Sequence, residues 1–353
     1  MGYGRYLAFR VLNAILVLML VTLLVSVLFT KVAEQDIKSS INEEIGLYLR
    51  GNPQLAQALS KDPQKYHEWY EREYNRRLKM YGLDKPFWVR VLERTKDTLT
   101  LNFGQTRNPI FGETNIAKII MAAVPRTILL FTTAQIIVIF LGILLGVKAA
   151  QIAGSAFDKA ISIVAMVTSS IPMWWFGMLA ILIFSFKLGW FPGSGMTSIP
   201  PKTGVAYYFD ILYHMILPVG TIVFVLFGGW AWTTRNIMIG TMQEDFIMAA
   251  RAKGVPERKV IYGHALRAAA PPIITMTIFA LLGSIGGAII TESVFNWPGM
   301  GRLYWTALQQ NDVRLVMGIT FVTTLLYLFA MILADLLYGY LDPRVKVGAS
   351  QKT

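Results

Sequence analysis

The segment Thr241–Pro272 has the sequence TMQEDFIMAARAKGVPERKVIYGHALRAAAPP and lies between two long apolar runs. The segment itself is polar, basic and helical in pattern. Thr241 and Glu244 have the spacing of a capping box, in which a hydroxyl and a carboxylate each satisfy a free backbone N–H at a helix start. Gly254 can adopt the left-handed conformation that ends a helix, and Pro256 prevents simple continuation. The pattern predicts that the chain leaves a membrane, forms a short capped helix, turns at a glycine and goes back in.

The predicted first helix presents small residues on one face. Ala249 and Ala250 share that face with Phe246 and Lys253, because the four residues recur at i, i+3, i+4 and i+7. Small side chains let another protein approach closely, so we interpret this helix as a docking element. An ordinary loop helix lying on lipid headgroups is the alternative that periodicity alone leaves open.

A second helical run is predicted over about Pro256–Ala270, and Pro271-Pro272 is expected to end it. The fifth apolar span, about Ile273–Thr291, follows directly. It is rich in small residues, which suit tight helix contact or a wide permeation path. Because this span continues the polar segment, we expect it to act as the lever that the docking helix moves.

The run AARAKGV…HALRAAAPP resembles the signature loop of ATP-binding-cassette importer permeases, specifically the dipeptide, oligopeptide and nickel branch. In that family the first helix of the loop sits in a groove on the ATPase subunit. The general family pattern has Glu-Ala-Ala and a glycine four residues later, whereas here Met248-Ala249-Ala250 precedes Gly254. The later Leu-Pro of that pattern is Leu266-Arg267. The resemblance assigns ATPase coupling to nine residues: Glu244, Asp245, Phe246, Ala249, Ala250, Arg251, Ala252, Lys253 and Gly254.

Composition places the chain in a membrane. Of 353 residues, 54% are hydrophobic and only 15% are charged. Apolar runs of about 20 residues, enough for a hydrocarbon core of about 30 Å, recur six times. The fold class is therefore an all-α polytopic membrane protein with six transmembrane helices. The resemblance implies the type I importer permease fold with a small helical external domain after the first helix.

Charge and cysteine content exclude several classes. The net charge is +12, and the basic residues cluster in segments predicted to be cytoplasmic, as the positive-inside rule requires. No nucleic-acid-binding motif accompanies them, so no nucleic-acid partner is expected. The absence of cysteine excludes disulfides, thiolate metal sites and a cysteine nucleophile.

Four segments are predicted along the chain. Residues 1–30 are an N-terminal tail and first transmembrane helix, 31–115 an external helical insert, 116–340 a five-helix permease core, and 341–353 a cytoplasmic tail. The coupling loop of the core is residues 241–270. Both termini are predicted to be cytoplasmic, in a multi-pass protein of the cell (inner or plasma) membrane.

The insert carries local helix signals. Three helices are predicted, one from the Ser40-x-x-Glu43 capping box to Gly51, one from Pro63 after Asp62 to Gly82, and one after Asp84-Lys85-Pro86 to about Thr98. An aromatic stripe at helical spacing lies on the second of these: Tyr66, Trp69, Tyr70 and Tyr74. The stripe is interpreted as a packed core or a seat on the membrane surface, with a contact for an external partner as the alternative.

The remaining spans carry breaks and charges that mark candidate path residues. Span two, about 116–149, contains Gly142-x-x-x-Gly146, which permits close helix approach. Span three, about 160–186, contains Pro172, which predicts a packing kink or a hinge that lines the pore. Span four covers about 211–234, and span six, about 313–340, carries Asp335 near its end. The candidates for a translocation path or gate are Ser169, Ser170, Pro172, Trp174, Ser284 and Glu292.

No catalytic constellation is visible. His67-Glu68 lacks the second histidine of a zinc helix, His214 and His264 are isolated, and no Gly-x-Ser-x-Gly occurs. No catalytic or metal-ligating residue is assigned, and no nucleotide-binding fingerprint is found. ATP and Mg are therefore expected on partner subunits, with no cofactor in this chain.

The resemblance implies a transmembrane permease subunit of an ATP-driven importer for peptides or similar small solutes. Its implied partners are a second permease subunit in a heterodimer, two ATPase subunits, an external substrate-binding protein and the lipid bilayer. Oligosaccharides and nickel complexes are alternative substrates. A channel or a ligand-sensing receptor without an ATPase is the alternative function, and the missing chemistry disfavours a membrane enzyme.

Overall fold

The structure is a computed structural model that describes residues 3–341. Most of the tail predicted at 341–353 lies outside the described residues. The chain forms two compact units. We call residues 12–119 with 306–324 the insert unit, and the remaining residues the core unit.

The first third of the chain is four helices and a hairpin: α1 Tyr3–Gly51, α2 Pro53–Ser60, α3 Pro63–Met80, α4 Phe87–Leu99, β1 Gln105–Ile110 and β2 Glu113–Asn115. The strands pair in the antiparallel direction. Phe111 and Gly112 form the turn between them, both with positive φ. Neither α2 nor the hairpin was expected from the sequence.

Two of the three helices predicted for the insert are confirmed, and the start of the other is wrong. Asp62 caps α3 by accepting hydrogen bonds from the backbone N–H groups of Gln64 and Lys65, at 3.1 and 3.2 Å. The Ser40 capping box starts no helix, because α1 passes through it without interruption. Ile41 and Ile45 are fully buried on one stripe of α1, and this stripe keeps the backbone helical across Ser40.

The aromatic stripe of α3 stacks along the helix. The ring centroids of Tyr66 and Tyr70 are 6.1 Å apart, and those of Tyr70 and Tyr74 are 5.9 Å apart. Trp69 stacks on Tyr48 of α1 at 6.2 Å. The stripe thus joins α3 to α1, and a contact for an external partner stays a prediction.

The rest of the chain is helical: α5 Ile116–Gln151, α6 Ala156–Ser170, α7 Met173–Ala180, a π-helix Ile181–Lys187, α8 Val205–Met242, α9 Asp245–Ala252, α10 Glu257–Lys259, a π-helix Val260–Ala265, α11 Leu266–Gly283, a 3₁₀ turn Ser284–Gly286, α12 Ile289–Val294, α13 Met300–Gln309 and α14 Val313–Leu341. Among the described residues, five helices are long and apolar enough to span a membrane. The number rises to six if α6 and α7 together count as one span.

Pro172 breaks span three sharply. The helices on its two sides meet at 95°, which is far more than a packing kink. Ile171 before the proline is extended, a conformation that the proline ring favours by disfavouring the helical one at the preceding residue. The hydroxyls of Ser169 and Ser170 donate to carbonyls one turn back, at 2.6 and 2.8 Å. Span three is therefore two segments rather than one straight helix.

Helix α8 is the centre of the core unit. A Cβ built on Gly142 of α5 would lie 2.4 Å from Cβ of Trp230, so the Gly-x-x-x-Gly prediction of close helix approach is confirmed, with α8 as the partner. Helix α6 packs equally closely, since a Cβ on Gly228 would lie 2.9 Å from Cα of Ala165. Only glycine allows these backbone approaches.

Candidate functional site

The predicted docking helix is α9, which begins after α8 has ended. Glu244 is the residue before its first turn, and the side chain of Glu244 makes no capping hydrogen bond. Thr241 lies in the last turn of α8, where its Oγ1 donates to the carbonyl of Ile237 at 3.0 Å. The predicted capping box is therefore wrong. The physical reason is that fully buried Met238 anchors the end of α8 and extends that helix past Thr241.

The end of α9 is as predicted. Gly254 has a φ of 77°, the left-handed conformation. Its N–H donates to the carbonyl of Arg251 at 2.9 Å, and the N–H of Val255 donates to the carbonyl of Ala250 at 3.2 Å. These two hydrogen bonds form a complete Schellman motif. A Cβ on Gly254 would meet no atom within 4 Å, so conformation rather than space requires glycine there.

One side of α9 is anchored, and the other is open. Ile247 is fully buried in a cluster with Met238, Val260 and Ile261. Phe246 and Met248 are 48% and 53% exposed. Apolar side chains that are exposed on a helix fixed from behind are typical of a surface that a partner covers.

The small-residue face divides between these two sides. Ala249, Ala252 and Lys253 are exposed with Phe246, whereas Ala250 is half-buried against the anchoring cluster. The acidic end of the helix, Glu244 and Asp245, is exposed as well. Eight of the nine residues assigned to coupling are therefore exposed, all except Ala250.

A bidentate ion pair ties α9 to the helix that follows. The Nη2 and Nε atoms of Arg251 donate to the two carboxylate oxygens of Glu257 at 2.8 and 3.2 Å. This hydrogen bonding raises the pKa of Arg251 above its ordinary value. Arg251 is thus committed within the chain, and Lys253 carries the exposed positive charge at this end of α9.

The second helical run does not stop at its prolines. Helix α10, the π-helix and α11 follow one another without interruption, and Pro271 and Pro272 lie inside α11. The predicted end at these residues is wrong. The fixed φ of proline, about −65°, is compatible with a helix, and packing of the helix compensates for the two backbone donors that the pair lacks. Ala269 and Ile273, both buried, pack the helix on either side of the pair. The docking helix is consequently joined to span five by a turn and a continuous helix.

A basic groove lies beside α9. It has a volume of about 460 Å³ and is lined by Phe246, Lys259, Gly263, His264, Arg267 and Ala268. Most of this lining comes from the helix that continues into α11. A partner seated here would contact both α9 and the start of span five.

The end of span five differs from its prediction. Helix α11 stops at Gly283, not at Thr291, and a short 3₁₀ turn follows. Gly287 then takes a φ of 67°. A Cβ on Gly287 would lie 2.7 Å from Cγ2 of Thr127, so glycine supplies both the turn and the space.

Glu292 is fully buried and joins three parts of the core unit. Its Oε1 accepts from Oγ1 of Thr127 at 2.8 Å, and its Oε2 accepts from the N–H of Arg302 at 3.0 Å. The same Thr127 oxygen accepts from the N–H of Met300 at 2.7 Å. The carboxylate therefore holds α12 and the start of α13 against α5.

A tryptophan closes the same region. Trp297 is fully buried, and its Nε1 donates to the carbonyl of Arg126 at 2.9 Å. Next to it, Asn296 has a positive φ of 53°. The loop before α13 is thus fixed to α5 at adjacent residues, Arg126 and Thr127.

The six candidate path residues do not form one site. Ser169, Ser170, Pro172 and Trp174 are exposed around the break between α6 and α7. Ser284 and Glu292 are instead buried against α5, where Oγ of Ser284 lies 2.9 Å from Oγ1 of Thr132. A path or gate role for any of them stays a prediction.

Two functional candidates were missed by sequence reasoning. Thr127 was not singled out, because a lone threonine in an apolar helix carries no signal of its own. Asp158 forms an ion pair with Arg235 that ties α6 to α8, with Nη2 and Oδ2 2.7 Å apart. Charged residues at the ends of two apolar runs were the available signal for this pair.

Asp335 has an ion-pair partner. Its Oδ2 lies 3.1 Å from Nε of Arg10, so α14 and α1 are connected within the core unit. This contact agrees with a structural role near a helix end. The neighbouring Asp342-Pro343-Arg344 lies outside the described residues.

The sequence matches a known family of transport proteins and several of its members. Residues 139–347 match the family described as binding-protein-dependent transport system inner membrane component. The chain belongs to this family. The permease is 32% identical over 269 residues to the oligopeptide transport system permease protein AppB of Bacillus subtilis, covering 76% of this chain and 84% of that one. It is 33% identical over 307 residues to the di/tripeptide transport system permease protein DppB of Pseudomonas aeruginosa, covering 81% and 86%.

A solved structure shares the fold. The permease matches a chain of the MetNI methionine ABC transporter, in an inward facing conformation, with a TM-score of 0.50 and 14% identity. The match covers 64% of the permease and 97% of that chain. The permease is therefore a multi-pass, mostly helical membrane protein with the type I importer fold, and the hairpin of β1 and β2 is the exception to the predicted all-α class. It is a transport subunit of an ATP-binding-cassette importer.

Proposed function

We propose that the permease translocates peptides delivered by an external binding protein, in a complex with a second permease chain and two ATPase subunits. The peptide class comes from its relatives, which are named as oligopeptide and di/tripeptide permeases. ATP and Mg belong to the ATPase subunits in this proposal, and the permease itself holds no cofactor.

The observation that carries the proposal is the way α9 is mounted. Its inner residue Ile247 is packed against the π-helix that leads into α11, and its outer residues Phe246 and Met248 are exposed. The Arg251–Glu257 ion pair and the Schellman turn fix the angle between α9 and that helix. A displacement of α9 by a partner on its exposed side therefore moves span five as well, because the connection between them is rigid.

Transport requires two alternative packings of the helices, one open on each side of the membrane. A ligand shifts such an equilibrium only by its differential affinity for the two states. In our proposal, ATP binding closes the two ATPase subunits and moves α9 of each permease chain. The continuous helix from α10 to α11 transmits this movement to span five. The break at Pro172 allows the two halves of span three to change their angle.

The orientation that fits this mechanism places α9, the groove beside it and both termini in the cytoplasm. The segment between α8 and α11 is strongly basic, as expected for a cytoplasmic loop. The insert, residues 31–115, is then external, where a binding protein would arrive. This orientation can be tested by labelling single introduced cysteines from either side of the membrane, because the chain contains no cysteine of its own.

Reconstitution in proteoliposomes tests the proposal. The permease, its partner permease and both ATPases are incorporated, the binding protein is added outside, and uptake of a labelled tripeptide is measured with and without ATP. We expect uptake only with ATP and the binding protein. Uptake by the permease alone would indicate a channel. Uptake of an oligosaccharide or a nickel complex in place of the peptide would show that peptides are not the substrate class.

Reversing the exposed charge at the end of α9 should weaken docking. For Lys253→Glu we expect a several-fold loss of co-purified ATPase at moderate salt, because an exposed charge contributes about 0.2–1 kcal/mol and reversal replaces attraction with repulsion. Lys79→Glu is the matched control, since Lys79 is equally exposed but lies on α3 of the insert. Equal retention of ATPase by both variants would argue against docking at Lys253.

A further inference from the structure

The insert unit contains two cavities that share one wall. The larger has a volume of about 460 Å³ and lies between α1, α4 and the start of α14. The smaller has a volume of about 300 Å³. Tyr81, Arg94 and Arg314 line both cavities, so the two cavities adjoin at these residues.

These arginines carry positive charge that the insert unit neutralises only in part, through Asp97 near Arg94. Neither Arg94 nor Arg314 forms an ion pair with a described residue. Arg90 donates to Glu34 at 3.1 Å but leaves its Nε and Nη1 buried without partners in the described chain. The Nη1 of Arg94 is likewise buried and without a partner there. Burial, and then the charges of Arg314 and Arg90, lower the pKa of Arg94.

Two of the nearby carboxylates are already committed, whereas Asp97 lines the smaller cavity with Arg94. Glu44 accepts from the hydroxyl of Tyr81 at 2.6 Å and pairs with Arg77, and Glu93 pairs with Lys85 at 2.6 Å. Arg94 is half-buried and Arg314 is exposed. The cost of burying charge therefore falls on Arg94, whose guanidinium is partly withdrawn from water near two other positive charges. A ligand that carries a carboxylate would supply the missing negative charge.

An unmet acceptor lies in the larger cavity. Asp312 is 7% exposed, and its Oδ1 accepts from the N–H of Leu315 at 3.1 Å at the start of α14. Its Oδ2 is buried and has no hydrogen-bond partner in the described chain. Glu43, an exposed carboxylate, lines the same cavity. The lining of the larger cavity thus contains both guanidinium donors and carboxylate acceptors.

We propose that the larger cavity of the insert unit binds a small zwitterionic solute, an amino acid or short peptide, with its carboxylate on Arg94 and Arg314 and its amino group on Asp312. The guanidinium fork matches a carboxylate in a bidentate manner. A volume of about 460 Å³ accommodates a molecule of this size. Gly104, with a φ of 77°, lies beside the site, and a Cβ on it would be 3.4 Å from Nη1 of Arg314. Every residue that lines the larger cavity belongs to the insert unit. The proposal does not depend on which solute the importer carries.

Binding of trialanine to the purified permease complex, without binding protein, tests the assignment. We compare free trialanine with its C-terminal amide and with its N-acetyl form, using tryptophan fluorescence or calorimetry in nanodiscs. Each capped form should bind at least tenfold more weakly than the free peptide. Equal binding of the amide, or no binding of trialanine at millimolar concentration, would overturn the proposal.

Two variants assign the two ends of the ligand. Arg94→Gln should lose at least tenfold in affinity and should no longer distinguish the free acid from the amide. Asp312→Asn keeps the cap oxygen at α14 and should no longer distinguish the free amine from the N-acetyl form. Arg76→Gln is the control, because Arg76 is an exposed arginine of α3 that lines neither cavity.

Thermal stability provides a readout that does not depend on the peptide. Without ligand, Arg94→Gln should unfold at the same or a higher temperature than the natural chain, since it removes a charge that is compensated only in part. Trialanine should raise the unfolding temperature of the natural chain but not of the variant. Binding of inorganic phosphate as tight as that of trialanine would show a general anion site and refute the zwitterion assignment.

Discussion

Gly254→Val is expected to uncouple ATP hydrolysis from transport by about tenfold while leaving the permease folded in the membrane. The φ of 77° at this residue is costly for any side chain and most of all for a β-branched one. The left-handed conformation costs an L-residue about 1–2 kcal/mol, and about 1.4 kcal/mol corresponds to a factor of ten in an equilibrium. The Schellman turn would then open, and α9 would lose its fixed angle to the helix that enters span five.

The measurement is the ratio of solute taken up to ATP hydrolysed in the reconstituted complex. Gly254→Asn is the matched control, because asparagine tolerates the left-handed conformation at a helix end. No atom lies within 4 Å of a Cβ at this position, so steric conflict cannot explain a difference between the variants. A normal ratio for Gly254→Val would show that the turn does not transmit the movement.

Glu292→Ala is expected to lower the stability of the core unit by about 3 kcal/mol or more. The substitution leaves the hydroxyl of Thr127 and the N–H of Arg302 buried without their acceptor. Each unsatisfied buried donor costs about 1–3 kcal/mol. The loop before α13 would lose its attachment to α5, and we expect a lower unfolding temperature in detergent and a smaller yield of folded permease.

The neighbouring serine provides the control for this prediction. Ser293→Ala removes a hydroxyl on the same helix that donates only to the carbonyl one turn back, at 2.7 Å, and it should change the unfolding temperature little. Glu292→Gln keeps one of the two acceptor oxygens, so its unfolding temperature should lie between those of Glu292→Ala and Ser293→Ala. Gly299→Ala tests the same cluster independently, because a Cβ there would lie 2.5 Å from Oε2 of Glu292. Comparable unfolding temperatures for Glu292→Ala and Ser293→Ala would contradict the assigned role of the carboxylate.

Local chemistry explains which parts of the fold could be predicted. The left-handed Gly254 and the cap at Asp62 depend on a few neighbouring residues, so the sequence indicates them directly. The Ser40 and Thr241 boxes have equally good spacing, but buried residues on the same helices, Ile41 and Met238, keep the backbone helical past them. Burial against distant segments overrides a local signal, and spacing alone does not reveal it.

The candidate sites show the same limit. The coupling residues lie close together in the chain, and a family resemblance locates them at once. The contact between Thr127 and Glu292 joins residues 165 positions apart, and it depends on how α5, α12 and α13 pack. The cavity beside Arg94 likewise requires α14 to return beside α4. The periodicity of a sequence describes one helix or strand at a time. It therefore predicts neither the contact between Thr127 and Glu292 nor the packing of α14 beside α4.

Helix α1 has a mechanical consequence of its own. It is 49 residues long, which corresponds to about 73 Å at about 1.5 Å per residue, whereas the hydrocarbon of a bilayer takes up only about 30 Å. More than half of this rod therefore projects beyond the lipid. If its membrane portion leans by about 10°, the far end of residues 31–51, about 30 Å beyond the predicted span, is displaced by about 5 Å. Small changes of angle within the bilayer are amplified at the far end.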